Sequence, residues 1–278
     1  MKKTKFTFID LFSGIGGFHM GCSLAGGKCL MASDINEIAN KTYYENYGIK
    51  PLGDICEIES CNIPEFDLLC AGFPCQPFSQ VGQRGGLNDE RGQLIFEIFR
   101  ILKDKQPKSF ILENVKGLQS IGGGKVLKFI LSELNKIGYS VQCKILEAKD
   151  YGTPQLRKRL FFVGIKKDLN INFIFPSPVP LKYTFSEIMG GKTERDYSFT
   201  IRIGGRRSGI NNRFNWDCYK VNGEPRFITT QECLMLQGFK RDFKLCGNEN
   251  QKFAQIGNSV PVTIVYEIVN QLINLKVL

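Results

Sequence analysis

Short apolar runs typical of buried β-strands alternate with helix-like segments over the first 165 residues of this chain. In the helix-like stretch 126–138, Val126, Ile130 and Leu134 share one face, and Gly138 is placed to end the helix. This alternation favours a parallel α/β sheet with helices on both faces. The predicted strands are FTFID (6–10), CLMAS (29–33), DLLCAG (67–72), SFILEN (109–114) and RLFFVGI (159–165).

The alternation stops after about residue 166. FPSPVP (175–180) is typical of a connector, and residues 182–226 are rich in Gly, Arg, Asn and Lys with little periodicity. The segment 260–275 again predicts an apolar helix, which we expect to pack on the first domain. We therefore predict a large domain, residues 1–175 plus 255–278, and a small loop-rich domain, residues 176–254.

The net charge of +10 and the pI of about 9.1 favour a polyanionic partner. Nucleic acid is the commonest such partner, although a merely basic protein has the same charge. The sequence contains no apolar run of about 18 residues, so we expect no membrane-spanning helix. The basic start is interrupted by Asp10 and by glycines, so it does not resemble a signal peptide. We expect a cytoplasmic protein with no membrane partner.

The ten cysteines include no CxxC pair, and His19 is the single histidine. Zinc-type ligand spacing is therefore absent, and no metal site is predicted. In the cytoplasm most of these thiols should be reduced core residues. The single histidine lies in the helix after the first strand, which argues against a Cys–His protease.

A glycine-rich loop, DLFSGIGGF (10–18), joins the first strand to a helix. Glycines at 14, 16 and 17 allow close approach of a ligand to the backbone, and Asp34 ends the second strand about twenty residues later. This arrangement is typical of sites for nicotinamide, flavin or S-adenosylmethionine cofactors, and a tight strand–helix turn also needs glycines. His19 occupies the position of the third glycine in the dinucleotide motif, which weakens the nicotinamide interpretation.

Four predicted strands each deliver a functional residue to one edge of the sheet, because ligands of open α/β sheets bind beyond the carboxyl ends of the strands. These residues are Gly14, Asp34, Cys75 and Glu113. Cys75 lies between Pro74 and Pro77, which is unusual for a structural thiol and favours a nucleophile. Glu113 ends an apolar run, where burial should raise its pKa and make it a proton donor. A capping or salt-bridged role is the alternative for Glu113.

TPQLRKRLFF (153–162) places Gln155, Arg157 and Arg159 on one face of an extended strand. Two guanidinium groups on one side of an apolar strand need an anionic partner, such as a phosphate or a base edge. An exposed strand entrance is the alternative, and it suits Arg157 better than Arg159.

The order of DLFSGIGG, GFPCQPFS, ENV, QxRxR and QIGNSVPV resembles that of the DNA (cytosine-5)-methyltransferase family. The segments GDI (53–55), RGQLIFEI (91–98) and RFITTQECLMLQGF (226–239) also fit, so the resemblance covers most of the chain outside 170–225. It implies a Rossmann-like S-adenosylmethionine-dependent methyltransferase fold, with a mixed, mostly parallel sheet and a small target-recognition domain. The compact spacing is similar to that of bacterial or phage modification enzymes.

The resemblance assigns catalytic roles to residues of the large domain. Cys75 would attack carbon 6 of cytosine, and Glu113 would protonate or hydrogen-bond ring nitrogen 3. Arg159 would hold the flipped base or its phosphate, supported by Gln155 and Arg157. Asn114 would orient the loop that carries Cys75, and Gln76 and Ser79 would be further loop contacts.

The resemblance also implies S-adenosyl-L-methionine as cofactor, with S-adenosyl-L-homocysteine as product. Asp34 would bind the ribose hydroxyls, Ile35 would pack on adenine, and Asp54 would meet the adenine amino group. The remaining residues implied to bind the cofactor are Phe12, Ser13, Gly14, Ile15, Gly16, Gly17, Ile55, Pro74, Leu94, Asn258, Ser259 and Val260.

Double-stranded DNA is the implied substrate, with a short target sequence read by residues 182–226. Gly- and charge-rich residues 80–92 are typical of a loop that closes on DNA. The candidate DNA contacts are Ser79, Arg84, Arg91, Arg202, Arg206, Arg207, Arg213 and Gln237. Any one of these arginines can read a guanine or only hold a phosphate.

Three other functions stay open at this point. A tRNA cytosine-5 methyltransferase shares these motifs, and a non-catalytic binding protein can share the fold. A nicotinamide-dependent oxidoreductase is disfavoured by the missing glycine. We expect a monomer acting in a restriction–modification system, with a possible cognate endonuclease that need not contact it.

Overall fold

The computed structural model describes residues 4–74 and 94–278. Predictions for Cys75, Gln76, Ser79, Arg84 and Arg91 therefore lie outside the described residues.

A six-stranded sheet forms the centre of the described structure, in the order β2–β1–β3–β4–β6–β5. The first four strands in this order run parallel, whereas β6 runs antiparallel to both of its neighbours. The sheet is therefore mixed and mostly parallel. Its strands are β1 (Phe6–Leu11), β2 (Gly27–Ser33), β3 (Leu68–Gly72), β4 (Ser109–Val115), β5 (Tyr139–Glu147) and β6 (Lys158–Lys166).

Helices cover both faces of this sheet because its central strands are apolar on both sides. In β3, Leu69 joins the core cluster under one face, and the next residue, Cys70, joins the cluster under the other. The first cluster packs on α3 (Leu94–Lys105) and α4 (Lys125–Ile137). The second packs on α1 (Gly17–Leu24) and α8 (Val262–Asn274). Helix α2 (Glu37–Tyr47) follows β2.

The sequence predicted every strand of this sheet except β5, and it predicted the helices α1, α4 and α8. Gly138 ends α4 with φ 115°, as expected for a left-handed helix cap. The missed strand is an edge strand, and most of its residues are only partly buried. Polar residues interrupt its apolar pattern, so the sequence did not predict a strand here.

The described residues between 176 and 254 contain a short hairpin and small helices. The hairpin strands β7 (Cys218–Val221) and β8 (Glu224–Phe227) meet at Asn222 and Gly223, whose φ values are 53° and 88°. Both positive angles are typical of the tight turns that match strand twist. The helices are α5 (Phe185–Met189), α6 (Thr230–Leu236) and α7 (Glu249–Asn258).

This segment shares a core with the glycine-loop region. A third apolar cluster joins Trp216, Tyr219 and Phe253 to Ile15 and Met20. Helix α7 also continues across residue 254, where the sequence predicted a domain boundary. The two-domain division stays a prediction.

Among the residues that the structure describes, none of the helices combines the length and apolarity that crossing a membrane requires.

Gly164 lies where β6 contacts β4, and we predict that no side chain is tolerated at this position. Gly164 faces Phe110 across the ladder, and an added Cβ would lie 2.1 Å from Cε1 of that ring. We expect Gly164→Ala to lower the free energy of unfolding by about 1–3 kcal/mol through overpacking. Urea unfolding measures this loss. Gly117→Ala is the matched control, since a Cβ there has no neighbour within 4 Å; equal losses in both variants would contradict the prediction.

Candidate active site

The loop between β1 and α1 adopts three left-handed backbone conformations. Phe12, Gly14 and Gly16 have φ values of 53°, 51° and 80°. The Gly14 N–H donates to Oδ2 of Asp34 at 2.8 Å, and the Ser13 N–H donates to the Ser33 carbonyl at 3.0 Å. The end of β2 thus holds the loop open at the carboxyl edge of the sheet.

A cavity of about 960 Å³ lies at this edge, where the sequence placed the site. An added Cβ at Gly14 would meet nothing within 4 Å, so this glycine leaves space at the cavity. The predicted site residues that line the cavity are Phe12, Gly14, Asp34, Ile35, Asp54, Ile55, Pro74, Leu94, Glu113, Asn114, Arg157, Arg159 and Asn258.

Six residues predicted to bind the cofactor do not line this cavity. Ile15 is fully buried in the third core cluster, and a Cβ at Gly16 would lie 2.4 Å from the ring of Tyr47. A Cβ at Gly17 would lie 2.7 Å from Oγ of Ser259 and from Cγ1 of Val260. These glycines serve helix packing. The six are Ser13, Ile15, Gly16, Gly17, Ser259 and Val260.

Two carboxylates stand on the cavity wall. Burial raises the pKa of the Asp34 carboxyl above its ordinary value of 3.8, while the N–H groups of Asn36 and Gly14 oppose the rise. Asp54 accepts from the Cys56 N–H at 2.9 Å and caps a short 3₁₀ turn. Beside them, Ile35 lines the cavity, and this residue is 75% exposed. Carboxylate oxygens next to an apolar surface suit a ligand with hydroxyl or amino groups and a flat ring.

Glu113 and Arg159 form an ion pair deeper in the cavity. Nε of Arg159 lies 2.9 Å from Oε1 of Glu113, and both side chains are less than 15% exposed. Burial raises the pKa of the Glu113 carboxyl above its ordinary value of 4.5, and the charges of Arg159 and Arg157 oppose the rise. The raised pKa predicted from the sequence is confirmed. A buried carboxyl held by a guanidinium can retain or donate a proton at a fixed place.

Asn114 fixes the chain that leads to Cys75. Its side chain is 2% exposed, and Nδ2 donates to the Phe73 carbonyl at 2.9 Å. Phe73 precedes Pro74, the last described residue before the predicted nucleophile. The contact therefore links the end of β4 to the approach to Cys75.

The surroundings of Arg157 differ from both alternatives considered for it, an anionic partner and an exposed strand entrance. It is 1% exposed and precedes β6. Its guanidinium donates to the carbonyls of Ile201, Gly257 and Ser259 at 2.7–3.2 Å. Three backbone carbonyls thus replace the expected phosphate or base edge, and the exposed-entrance alternative is wrong.

Gln155 and Gln237 form a buried pair that extends this network. Nε2 of Gln155 donates to Oε1 of Gln237 at 3.0 Å, and Nε2 of Gln237 donates to the carbonyls of Ile256 and Ser259. Both side chains are 0% exposed. Burial leaves neither side chain exposed in this structure, which differs from the expected contact of Gln237 with DNA, and Gln155 can support Arg159 only from within the protein.

Helix α7 supplies a wall that the sequence analysis missed. Gln251, Ala254 and Gln255 line the cavity together with the predicted Asn258. The spacing of three and four residues is that of one helix face, so helical periodicity before Asn258 was the available signal.

The arginines of the glycine-rich segment differ in their surroundings. Arg202, Arg207 and Arg213 are exposed. Arg206 instead lies 3.7 Å from the ring centroid of Phe253, and its Nη1 donates to Oδ1 of Asn250 at 3.1 Å. Three of the four arginines of this segment that were predicted to contact DNA are therefore exposed to solvent.

Comparison with known proteins decides the family. The family model for C-5 cytosine-specific DNA methylases matches residues 6–212 and 196–274, which is most of the chain. The chain belongs to this family. It is a DNA (cytosine-5)-methyltransferase, as the order of its motifs predicted.

Named relatives agree with this membership. The chain is 48% identical to type II methyltransferase M.HpaII of Haemophilus parainfluenzae over 314 residues, covering 95% of this chain and 88% of the relative. It is 37% identical to type II methyltransferase M.DsaV of Dactylococcopsis salina over 307 residues, covering 99% and 88%.

Solved structures share the fold. The Entamoeba histolytica methyltransferase EhMeth matches with a TM-score of 0.80 at 20% identity, covering 98% of this chain and 99% of that one. The S. pombe Dnmt2 methyltransferase matches with a TM-score of 0.76 at 21% identity, covering 97% and 99%. The predicted S-adenosylmethionine-dependent methyltransferase fold is confirmed.

The raised pKa of Glu113 predicts a pH-dependent stability. Between pH 4.5 and the folded pKa, the native state holds a proton that the unfolded state has lost, so stability falls as the pH rises. Each unit by which folding raises this pKa corresponds to about 1.4 kcal/mol. Relative to Glu113→Gln, the wild type should therefore lose stability from pH 4.5 upwards in urea unfolding. The same substitution at exposed Glu59 is the control, and curves that stay parallel for wild type and Glu113→Gln would refute the assignment.

Proposed function

We propose that this enzyme transfers a methyl group from S-adenosyl-L-methionine to carbon 5 of cytosine within a short sequence of double-stranded DNA. The observation that carries the proposal is one shared cavity. At one end it presents the Gly14 loop and Asp34, and at the other end the Glu113–Arg159 pair. A nucleoside cofactor and a target base can meet in such a cavity.

The cavity residues fit S-adenosyl-L-methionine. Asp34 has a carboxylate for the ribose hydroxyls, and Asp54 has one for the adenine amino group. Ile35, Ile55 and Phe12 offer apolar surface for the adenine ring, and Pro74 and Leu94 for the methionine end. When bound, the cofactor supplies an electrophilic methyl group. S-adenosyl-L-homocysteine is the expected product.

The target carbon is enclosed in the base stack of duplex DNA. The proposed enzyme rotates the cytosine out of the helix at a cost of a few kcal/mol. Arg159 holds the extruded base or its phosphate, because its guanidinium is fixed on Glu113. Arg157 and Gln155 support this position from beneath through their backbone contacts.

Cys75 is the proposed nucleophile. Its sulfur forms a covalent bond to carbon 6, and Glu113 supplies a proton or hydrogen bond at ring nitrogen 3, where negative charge develops. Carbon 5 then becomes nucleophilic and is methylated. A base removes the carbon 5 proton, and the cysteine leaves as the double bond re-forms. Asn114 holds the backbone that precedes Cys75.

Residues 176–254 are the proposed reader of the DNA sequence, with the remaining residues forming the catalytic and cofactor-binding domain. Support comes from the exposed Arg202, Arg207 and Arg213, since arginine pairs with guanine in the major groove.

We propose that the enzyme protects DNA in a restriction–modification system, acting as a cytoplasmic monomer. The relatives named type II methyltransferases support that role. Of the residues assigned to the loop at 80–92, Arg84 and Arg91 are proposed phosphate contacts.

A tRNA cytosine-5 methyltransferase is the second candidate from the sequence motifs. The family match is to DNA methylases, and the type II relatives agree with it. Neither supports RNA as the substrate. A comparison of labelled duplex DNA and tRNA as methyl acceptors separates the two functions.

The proposed covalent step predicts the behaviour of Cys75→Ser. Serine is a much weaker nucleophile, so we expect kcat for methyl transfer to duplex DNA to fall by about 10³-fold or more. Transfer of labelled methyl from S-adenosyl-L-methionine measures it. Cys61→Ser removes an exposed thiol away from the cavity and should retain wild-type activity. A Cys75→Ser enzyme with wild-type kcat would rule out the covalent mechanism.

The exposed arginines predict a salt dependence. If Arg202 holds a phosphate, Arg202→Ala should reduce the slope of log K against log salt by about 1 in binding to duplex DNA. Arg206→Ala should change the slope less, because its guanidinium already contacts Phe253 and Asn250. Fluorescence anisotropy over a salt series measures both slopes, and identical slopes for wild type and Arg202→Ala would count against a phosphate contact.

A further inference from the structure

The segment 34–47, which includes helix α2, contacts the glycine loop at two places. Asp34, just before the helix, accepts from the Gly14 N–H at 2.8 Å. Tyr47, the last residue of the helix, donates its hydroxyl to the Gly16 carbonyl at 2.8 Å. One donor of the loop backbone is thus bound just before α2, and one acceptor is bound at the last residue of that helix.

The loop needs such restraint because its backbone is strained. Phe12 has φ 53°, a left-handed conformation that bulky side chains rarely adopt. Conformations of this kind persist only when surrounding contacts enforce them. Gly14 and Gly16 also have positive φ values, but glycine adopts these without cost. The contacts at Gly14 and Gly16 therefore hold the chain on either side of Ile15 and close to Phe12.

The Tyr47 hydroxyl has a defined position. Its ring stacks on His19 at 3.8 Å between centroids and meets the edge of Tyr43 at 4.7 Å. An added Cβ at Gly16 would lie 2.4 Å from Cε2 of Tyr47, so ring and loop are in close contact. The Gly16 carbonyl also accepts from the Met20 N–H at 2.9 Å, which ties the same atom to the first turn of α1.

We propose that Tyr47 is a positioning residue for cofactor binding, which acts by fixing the Gly16 carbonyl and thereby the loop that faces the cavity. The inference rests on the proposed use of S-adenosyl-L-methionine by this cavity. Tyr47 itself is not among the residues that line the cavity, so its effect reaches the ligand only through Gly16 and its neighbours.

Tyr43→Phe provides a matched control for Tyr47→Phe. Tyr43 lies on the same helix, and its hydroxyl also makes a buried hydrogen bond, to Nδ1 of His19 at 2.7 Å. That bond does not involve the loop backbone. Both variants lose one oxygen atom and its two hydrogen-bonding contacts while keeping the ring, so they should lose similar thermal stability. The contacts are with Gly16 and Ile15 for Tyr47, and with His19 and Cys29 for Tyr43.

The experiment is titration calorimetry of S-adenosyl-L-methionine binding to DNA-free wild type and both variants. Loss of one hydrogen bond that preorganises the loop should raise Kd about 3- to 10-fold in Tyr47→Phe. The KM for the cofactor should rise by a similar factor, with kcat and the KM for DNA unchanged. Tyr43→Phe should keep the wild-type Kd. Hydrogen exchange of the peptide 11–18 in cofactor-free protein should increase in Tyr47→Phe alone.

Two results would overturn the inference on its own: a Tyr47→Phe Kd equal to that of the wild type, or equal weakening in Tyr43→Phe. The first would show that the hydroxyl does not set the loop, and the second that any loss of helix stability has the same effect. A wild-type protein that fails to bind S-adenosyl-L-methionine would overturn the proposed function itself, and this inference with it.

Discussion

The arrangement of the site depends on the hydrogen bonds that the buried guanidinium of Arg157 donates to backbone carbonyls. A cation removed from water is costly unless its donors are bound, and here three carbonyls from distant parts of the chain accept from Nη1 and Nη2, while the buried Nε has no partner. They belong to Ile201, in the segment proposed to read DNA, and to Gly257 and Ser259, at the end of α7. Sheet, reader segment and C-terminal wall are therefore fixed relative to one another at a single side chain.

The same cation contributes to the chemistry of Glu113. Burial favours the neutral carboxyl, whereas Arg159 at 2.9 Å and the more distant Arg157 favour the carboxylate. Because Arg157 is held by backbone carbonyls, its position does not depend on a ligand. Arg159 has a carboxylate as its partner and lies on the cavity wall. One arginine thus sets the scaffold, and the other lies on the cavity wall, where we propose that it meets the substrate.

The sequence predicted the edge of the site well because that edge follows from local pattern. An apolar run that ends in a polar residue identifies both a strand and its carboxyl end, so Asp34 and Glu113 were placed correctly. Reasoning from the sequence missed the burial of residues that are enclosed by contacts distant along the chain. The polar side chain of Gln237 gives no local sign that Gln155, 82 residues away, and Ser259 enclose it. Likewise Ile15 and Gly17 belong to a ligand-binding motif, yet they serve the packing of α1.

The cavity is assembled from opposite ends of the chain. Its first wall comes from residues 12–55, and its last from Gln251–Asn258. During synthesis the amino-terminal residues fold first. A nascent chain that still lacks α7 has neither the Gly257 carbonyl nor the Ser259 carbonyl that Arg157 requires. Of the three carbonyl partners of Arg157, such a chain keeps that of Ile201, and its cavity lacks the wall that α7 forms.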